Sequence, residues 1–195
     1  MAKFPIWKEN LHWSKKIYAL PRFRVFTLEK TYTKMGSPKT ISVDKLFRDP
    51  RFQAGLINKF NAYGYDFTPY HGFNHVQLIS TGTPLMSMVK MLKAERIDYL
   101  IDFPIFLGYY VEESQAVPPS MELRTIGIQE FIQKPIPTAY IAAGKSEFGK
   151  RIIERLDTTI DKKTILQIRD YVGYWAKEQE TKKEFLRINK NLFGY

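Results

Sequence analysis

The chain of 195 residues contains no cysteine. This absence excludes disulfides, thiolate catalysis and zinc sites built on thiolates. The sequence also lacks the run of about 20 apolar residues that a membrane-spanning helix needs, and its first 16 residues have no apolar core of a secretory signal peptide. The motifs G-x-x-x-x-G-K-[ST], G-x-G-x-x-G, G-x-S-x-G and H-E-x-x-H are absent too, which argues against P-loop phosphoryl transfer, Rossmann cofactor binding and the common hydrolases.

Histidines are few, and they make a poor metal site. The three are His12, His71 and His75. The last two are four residues apart, but Gly72 and Asn74 between them disfavour the helix that would bring their rings together. We therefore predict surface or loop histidines, with no metal and no cofactor.

The charge is strongly basic. Lysine and arginine number 30 against 20 acidic residues, which gives a net charge of +10. A basic chain can bind nucleic acid or other anions. The basic residues are spread along the sequence without a contiguous block of five, a pattern typical of a solvated surface. Nucleic-acid binding therefore stays an alternative that is not favoured.

Strand-like and helix-like segments alternate through the middle of the chain. The first predicted strand is IYALPRFRVFTLEK, which alternates from Arg22 and in which Pro21 suggests an edge or a break. The others are FQAGLI, HVQLIST, DYLIDF, MELRTIGI and AYIAAGKS. Six helices are predicted: a short one capped by Ser42, one capped by Thr83, one at IFLGYYVEES, one capped by Ser146, and two more before the end. The helix after Thr83 has an apolar face of Leu85, Met88, Val89 and Leu92. The helix after Ser146 has an apolar face of Phe148, Ile152, Leu156 and Ile160. The segment NKFNAYGYDF is expected to be a loop that opens a further helix. This order predicts an α/β fold with a mainly parallel sheet.

Polar residues follow three of the predicted strands. In open α/β sheets, ligands bind outside the carboxyl ends of the strands. We therefore predict a ligand contact at Asp102, at the end of DYLI. Further contacts are predicted in the loop after FQAGLI, at Asn61, Tyr63 and Gly64, and in the loop after HVQLI, at Ser80, Thr81 and Thr83. A helix N-terminus with small hydroxyl residues suits an anionic group, and a carboxylate suits a cationic one. Alternatively, Thr81 and Thr83 only cap the helix and Asp102 only accepts local N–H bonds.

Asp98 and Asp102 are the candidates for a catalytic pair of acids. On one strand, positions i and i+4 project from the same face but lie about 13 Å apart at the usual rise per residue. That separation is too long for two carboxylates that share a reaction. Asp98 fits a structural role at the junction between helix and strand, and we predict no catalytic residues.

The stretch LISTGTPLMSMVKMLKAERIDYLIDFP resembles the second lobe of family 3 extracellular solute-binding proteins, in which a polar loop leads into a helix and then into a G-R-[IV]-D-A segment. KKIYALPRFRVFT resembles the first hinge-crossing strand of that family, and PTAYIAAGKSEFGKRIIERLDTTI resembles the return crossing. Glu95-Arg96 replaces the family's Gly-Arg, and the family's amino-group acid often lies one residue after Asp102. The resemblance implies a type II periplasmic-binding-protein fold, with two α/β lobes, a ligand cleft between them and hinge closure.

The resemblance also implies a domain layout. Residues 1–28 would form the end of lobe 1 and the first hinge strand, residues 29–137 a complete lobe 2, and residues 138–195 the return strand and the closing helices of a partial lobe 1. Because most of lobe 1 precedes the first crossing strand in the family, the chain is expected to be an N-terminally truncated member.

From these observations we expect a non-catalytic solute-binding protein of a transport system. It would be a periplasmic or extracellular monomer that binds a small polar, amino-acid-like or zwitterionic solute and works with a membrane transporter. Two alternatives stay open: a basic nucleic-acid-binding protein, and an enzyme or sensor domain on the same fold.

Overall fold

A computed structural model describes residues 10–58, 60–62, 64–113, 123–176 and 179–194, without the side chains of Asn61 and of residues 111–113. The chain divides into two compact units. We call Arg22–Lys134 the middle unit, and the residues up to Pro21 together with those from Pro135 onwards the terminal unit.

Short strands build one six-stranded sheet and three two-stranded ladders within the described residues. In chain order they are β1 (Leu11–Trp13), β2 (Tyr18–Ala19), β3 (Arg24–Leu28), β4 (Thr40–Ile41), β5 (Ala54–Ile57), β6 (Asn61–Ala62), β7 (Tyr65–Asp66), β8 (Val76–Ile79), β9 (Tyr99–Asp102), β10 (Leu123–Ile128), β11 (Thr138–Ala139) and β12 (Ala142–Gly144).

Helices alternate with these strands and then close the chain. In order they are α1 (Glu29–Lys34), α2 (Val43–Phe47), α3 (Pro84–Lys93), α4 (Pro104–Glu113), α5 (Glu147–Thr159), α6 (Lys162–Tyr174) and α7 (Gln179–Phe193), with 3-10 turns at Thr68–Tyr70 and Gln129–Phe131. None of the helices in the described ranges combines the length and the apolar character needed to cross a bilayer.

The six-stranded sheet lies in the middle unit, with strand order β4-β10-β3-β9-β5-β8. Strands β9, β5 and β8 pair in parallel, as do β10 and β4, whereas β3 is antiparallel to both β10 and β9. The prediction of an α/β fold with a mainly parallel sheet is confirmed. The break suggested at Pro21 is confirmed too, because β3 begins only at Arg24. The edge position is wrong, since β3 is central and Pro21 takes no part in its ladder.

One face of the sheet packs against α3 and α4. Phe26 and Leu100 belong to a buried cluster with residues of these helices, and the members contributed by α3 are Leu85, Met88, Val89 and Leu92. The predicted apolar face of α3 is therefore confirmed. Gly55 of β5 allows the close approach, because a Cβ there would lie 2.6 Å from Ile97 Cδ1.

The opposite face is aromatic. Tyr99 alternates with Leu100 along β9, so its ring lies on the other side of the sheet, 5.5 Å from that of Phe47 of α2. Phe47 in turn stacks on Tyr70 at 4.8 Å and contacts Phe67 edge-on at 5.7 Å. All of these rings are buried, so α2 is held to the sheet mainly by aromatic packing.

The segment after β5 is a hairpin, which corrects the expected opening of a helix. Asn61 pairs with Asp66 and Ala62 with Tyr65. Gly64 stands in the turn with φ +76°, a left-handed conformation that glycine adopts without steric cost. Because the chain reverses direction at this turn, no α-helix begins in the segment, and only the short 3-10 turn Thr68–Tyr70 follows.

In the terminal unit, β1 pairs with β12 and β2 with β11, each antiparallel. The fully buried side-chain amide of Asn189 in α7 forms two hydrogen bonds with the backbone of β2. Its Oδ1 accepts a hydrogen bond from Ala19 N at 2.8 Å, and its Nδ2 donates to Ala19 O at 2.9 Å. Lys15 Nζ donates to the carbonyls of Asp157 and Ile160 at the end of α5, where a cation is favoured.

The predicted apolar face of α5 is confirmed only towards its C-terminal end, where Leu156 packs against a buried cluster that contains Ile160. Ser146 caps the helix as expected, accepting from Gly149 N at 3.0 Å. However, Phe148 is 67% exposed and Ile152 37% exposed, whereas Gly149 and Ile153 are buried. A Cβ on Gly149 would overlap the carbonyl of Gly144, so the glycine side is the one that fits against β12.

Candidate functional site

The carboxyl ends of three parallel strands meet at one edge of the sheet in the middle unit. Strands β9, β5 and β8 are consecutive neighbours, and each is followed by one of the predicted site segments. Asp102 ends β9, the β6–β7 hairpin follows β5, and Ser80 follows β8. We call this the carboxyl edge, and it is the position at which open α/β sheets bind ligands.

Asp102 is the buried acid of this edge, with 7% of its surface exposed. Its Oδ1 accepts a 2.6 Å hydrogen bond from Phe103 N, and no lysine or arginine of the described residues forms a salt bridge with it. Burial raises its pKa from 3.8 to about 7, while the bond from Phe103 acts in the opposite direction. Near neutral pH this carboxyl group can therefore exchange a proton for a cationic partner.

Arg24 is the neighbour of Asp102 that the sequence did not reveal. The two residues are register partners across the antiparallel pair β3–β9, so their side chains leave the same face of the sheet. Arg24 is partly buried. The carboxyl edge thus carries a cationic residue beside the acid, but the alternation of RFRVF could not show which strand would pair with it.

Asp98 has the structural role expected of it. Its Oδ2 accepts from Gln53 N at 2.8 Å and its Oδ1 from Thr31 Oγ1 at 3.2 Å, while its backbone carbonyl accepts from Thr27 Oγ1 at 2.7 Å. These bonds tie the start of β9 to α1, β3 and the segment before β5. The carboxylate is fully engaged inside the fold and is not placed for chemistry.

The hydroxyl residues after β8 form an exposed turn into α3. Thr81 Oγ1 lies 3.0 Å from Ser87 Oγ, and Ser87 donates both its N–H and its hydroxyl to the carbonyl of Thr83. Thr83 occupies the N-cap position, but its side chain makes no capping hydrogen bond. The prediction that the Thr83 hydroxyl caps the helix is therefore wrong. Ser80 is exposed as well. By the usual strand spacing, this turn lies about 10 Å from the end of β9, and no described contact joins it to Asp102.

A series of aromatic rings leads from the end of β9 towards the β6–β7 hairpin. Phe103 stacks on Phe23 with centroids 3.8 Å apart, and Phe23 contacts Phe60 edge-on at 5.5 Å. Phe60 directly precedes Asn61. Gly64 is exposed in the turn, and Tyr63 lies outside the described residues. The described ring contacts thus run from Phe103, the residue after Asp102, to Phe60, the residue before the hairpin.

These phenylalanines belong to a larger cluster of aromatic rings, in a chain with an aromatic content of 15%. Phe23 also contacts Phe131, and Phe60 contacts Phe67. Except for the partly exposed Phe60, these rings are buried.

His75 is bound within the middle unit. Its Nε2 lies 2.8 Å from the carbonyl of Phe47, and its ring stacks on Phe73 at 5.5 Å. The part of the chain that the structure describes contains no group of three or more histidine, cysteine or acidic side chains with metal-binding geometry.

Neither a protein-family model nor a curated protein matches the sequence. Solved structures match it over most of its length. The amino-acid ABC transporter substrate-binding protein AbpA of Streptococcus pneumoniae, bound to L-arginine, is 14% identical with a TM-score of 0.54, over 94% of this chain and 65% of that one. The GluR0 ligand-binding core of Nostoc punctiforme, in complex with L-glutamate, is 16% identical with a TM-score of 0.54, over 88% and 69%. A histidine kinase sensor domain similar to periplasmic binding proteins is 12% identical with a TM-score of 0.53, over 95% and 67%.

These likenesses establish the fold. The chain has the periplasmic-binding-protein-like II fold, which is the fold of periplasmic or extracellular solute-binding proteins, and the predicted fold is confirmed. Its structural neighbours include substrate-binding proteins of amino-acid ABC transporters. The chain spans 65% of the length of the S. pneumoniae protein.

Proposed function

We propose that this chain binds a small polar solute with a cationic group, of the amino-acid type, without converting it, as the solute-binding part of a transport system outside the cytoplasm. The observation that carries the proposal is Asp102. It is a buried carboxyl group at the carboxyl edge of a parallel sheet, and no cation of the described residues pairs with it. The neighbours with this fold that were solved with L-arginine and L-glutamate support an amino-acid-like ligand.

The proposed contacts divide by charge. Asp102 would accept hydrogen bonds from the ammonium group, which would replace the water that burial has removed. The polar backbone of Asn61 and Gly64, with Tyr63, would contact the same end of the solute from the hairpin. Ser80, Thr81 and Thr83 would offer hydroxyl and N–H groups to an anionic end at the start of α3.

Calorimetric titration tests the proposal. L-Arginine, L-glutamate and neutral amino acids are titrated at pH 8, beside analogues in which the ammonium group is absent. We expect binding of at least one amino acid and a loss of tenfold or more in Asp102→Asn, because the amide cannot pair with the ammonium as a charge. Asp170→Asn, which changes an exposed aspartate of α6, is the matched control and should bind normally.

The pH dependence of affinity provides a second readout. The proton on Asp102 competes with the ligand's ammonium group below a pKa of about 7. Affinity should therefore rise up to about a hundredfold between pH 5 and pH 8 in the wild type and stay flat in Asp102→Asn. Equal binding by both proteins, or no heat with any of these compounds, would contradict the proposal.

A sensor domain is the second candidate, since a histidine kinase sensor domain shares the fold. It would use the same ligand contacts but deliver the signal to an attached domain. Nucleic-acid binding is less well supported, because several basic side chains are already paired with acids, among them Lys30 with Glu95, Arg48 with Asp44 and Arg51 with Asp49.

A further inference from the structure

A chain of hydrogen bonds connects the β6–β7 hairpin to α2. The hydroxyls of Tyr65 and Tyr70 lie 2.8 Å apart. Tyr70 donates its hydroxyl proton to Asp44 Oδ1 at 2.9 Å, and Arg48 Nε donates to the same oxygen at 2.9 Å. Because the single proton of Tyr70 goes to the carboxylate, Tyr65 must be the donor to Tyr70. We call these four residues the tyrosine relay.

The anchor of the relay is rigid. The bonds from Arg48 and Tyr70 hold the pKa of Asp44 below its usual value, so the carboxylate stays ionised as an acceptor. The start of α2 is fixed independently, since Glu130 accepts from Ser42 Oγ at 2.6 Å and from Val43 N at 3.0 Å. Asp44 therefore stands at a point whose position does not depend on the hairpin.

The hairpin's own ladder is short. Strands β6 and β7 have two residues each and form a ladder separate from the six-stranded sheet. An isolated two-stranded hairpin is marginal in water. Tyr65 connects it to the rest of the middle unit, because its ring packs against Phe67 at 4.9 Å and Phe131 at 5.9 Å and its hydroxyl enters the relay.

We propose that Tyr65 and Tyr70 are positioning residues, whose hydroxyl relay to Asp44 holds the β6–β7 hairpin, with Asn61 and Gly64, at the distance from Asp102 that ligand binding requires. This inference rests on the proposed function of the carboxyl edge. The relay acts at a distance from the solute, because its own hydroxyls are consumed by one another and by Asp44.

Tyr65→Phe is the cleanest test. It keeps the ring against Phe67 and removes only the first bond of the relay, while Tyr70 keeps its acceptor Asp44 and Asp44 keeps Arg48. Tyr70→Phe cuts both bonds but retains the stacking on Phe47. Tyr32→Phe is the matched control, because the Tyr32 hydroxyl also donates one hydrogen bond, to Ser37 O at 3.0 Å, elsewhere in the middle unit.

The first measurement needs no ligand. Hydrogen–deuterium exchange by mass spectrometry on the whole chain reports the opening of peptides that cover residues 58–70. We expect Tyr65→Phe to speed exchange there about fivefold, the factor that corresponds to one ordinary hydrogen bond, with exchange in β9 and α3 unchanged. Tyr32→Phe should leave residues 58–70 at the wild-type rate.

The second measurement is calorimetric titration with L-arginine and L-glutamate as probes. Against whichever probe the wild type binds, Tyr65→Phe and Tyr70→Phe should each lose affinity about fivefold or more. The double variant should lose no more than Tyr70→Phe alone, because both changes break the same relay. That non-additivity would not arise from two independent losses of stability.

The outcomes separate the two proposals. If the wild type binds neither probe, nor any of the neutral amino acids, the proposed function fails, while the exchange data still decide whether the relay fixes the hairpin. If the wild type binds a probe and Tyr65→Phe binds it equally well, the positioning role is refuted. Faster exchange without loss of affinity would refute it as well, since the relay would then be only structural.

Discussion

Replacing Asp102 with asparagine tests the burial of this carboxyl group through the pH dependence of stability. Asp102 is 7% exposed, and its pKa is raised from 3.8 to about 7. The folded protein thus holds this proton more tightly than the unfolded chain does. Its contribution to stability is complete below pH 3.8 and is lost as the pH rises through about 7.

The size of the effect follows from the two pKa values. One pKa unit corresponds to about 1.4 kcal/mol, so the difference between 3.8 and about 7 sets the whole loss at about 4 kcal/mol. Most of it, about 3 kcal/mol, falls between pH 5 and pH 8. The residue is too well buried for solvent screening to remove much of this energy.

Urea unfolding at pH 5, 6, 7 and 8 measures the effect. Between the two extremes the wild type should lose about 3 kcal/mol more of its free energy of unfolding than Asp102→Asn does, because the amide cannot ionise. Asp170→Asn, at an exposed site, should follow the wild type. Parallel curves for the wild type and Asp102→Asn would refute the reasoning, since Asp102 would then titrate as it does in the unfolded chain.

Two further substitutions test the packing. The hydroxyl of Tyr99 is buried and has no hydrogen-bond partner among the described residues, so Tyr99→Phe should raise the free energy of unfolding by about 1 kcal/mol in urea titrations; a loss of stability would reveal a hidden partner. Gly149→Ala should lower the melting temperature clearly, at a cost of about 3 kcal/mol, because the new methyl group would overlap the carbonyl of Gly144. Gly72→Ala, where a Cβ meets nothing within 4 Å, should cost far less.

Periodicity predicted the elements that are strongly patterned and local. Helix α3 follows from Pro84 and the i, i+3, i+4, i+7 spacing of its apolar residues, and β9 follows from the run that ends at Asp102. Helix α5 shows the limit of this method. Phe148 and Ile152 follow the helical period but are exposed. The first turns of α5 pack instead through Gly149, whose missing side chain allows contact with a backbone carbonyl. The spacing of apolar residues cannot predict a close contact between a glycine and the backbone of a distant segment.

The position of Asp102 at a strand end was therefore determined by the sequence alone, because the apolar run and Pro104 mark where β9 stops. What surrounds it was decided by the tertiary structure. Strand order placed β9 between β3 and β5, register set Arg24 opposite the acid, and rings far apart in the chain, Phe23 and Phe103, stacked at its side. Register and stacking depend on contacts between distant segments, and the free energy of those contacts cannot be read from any one stretch of residues.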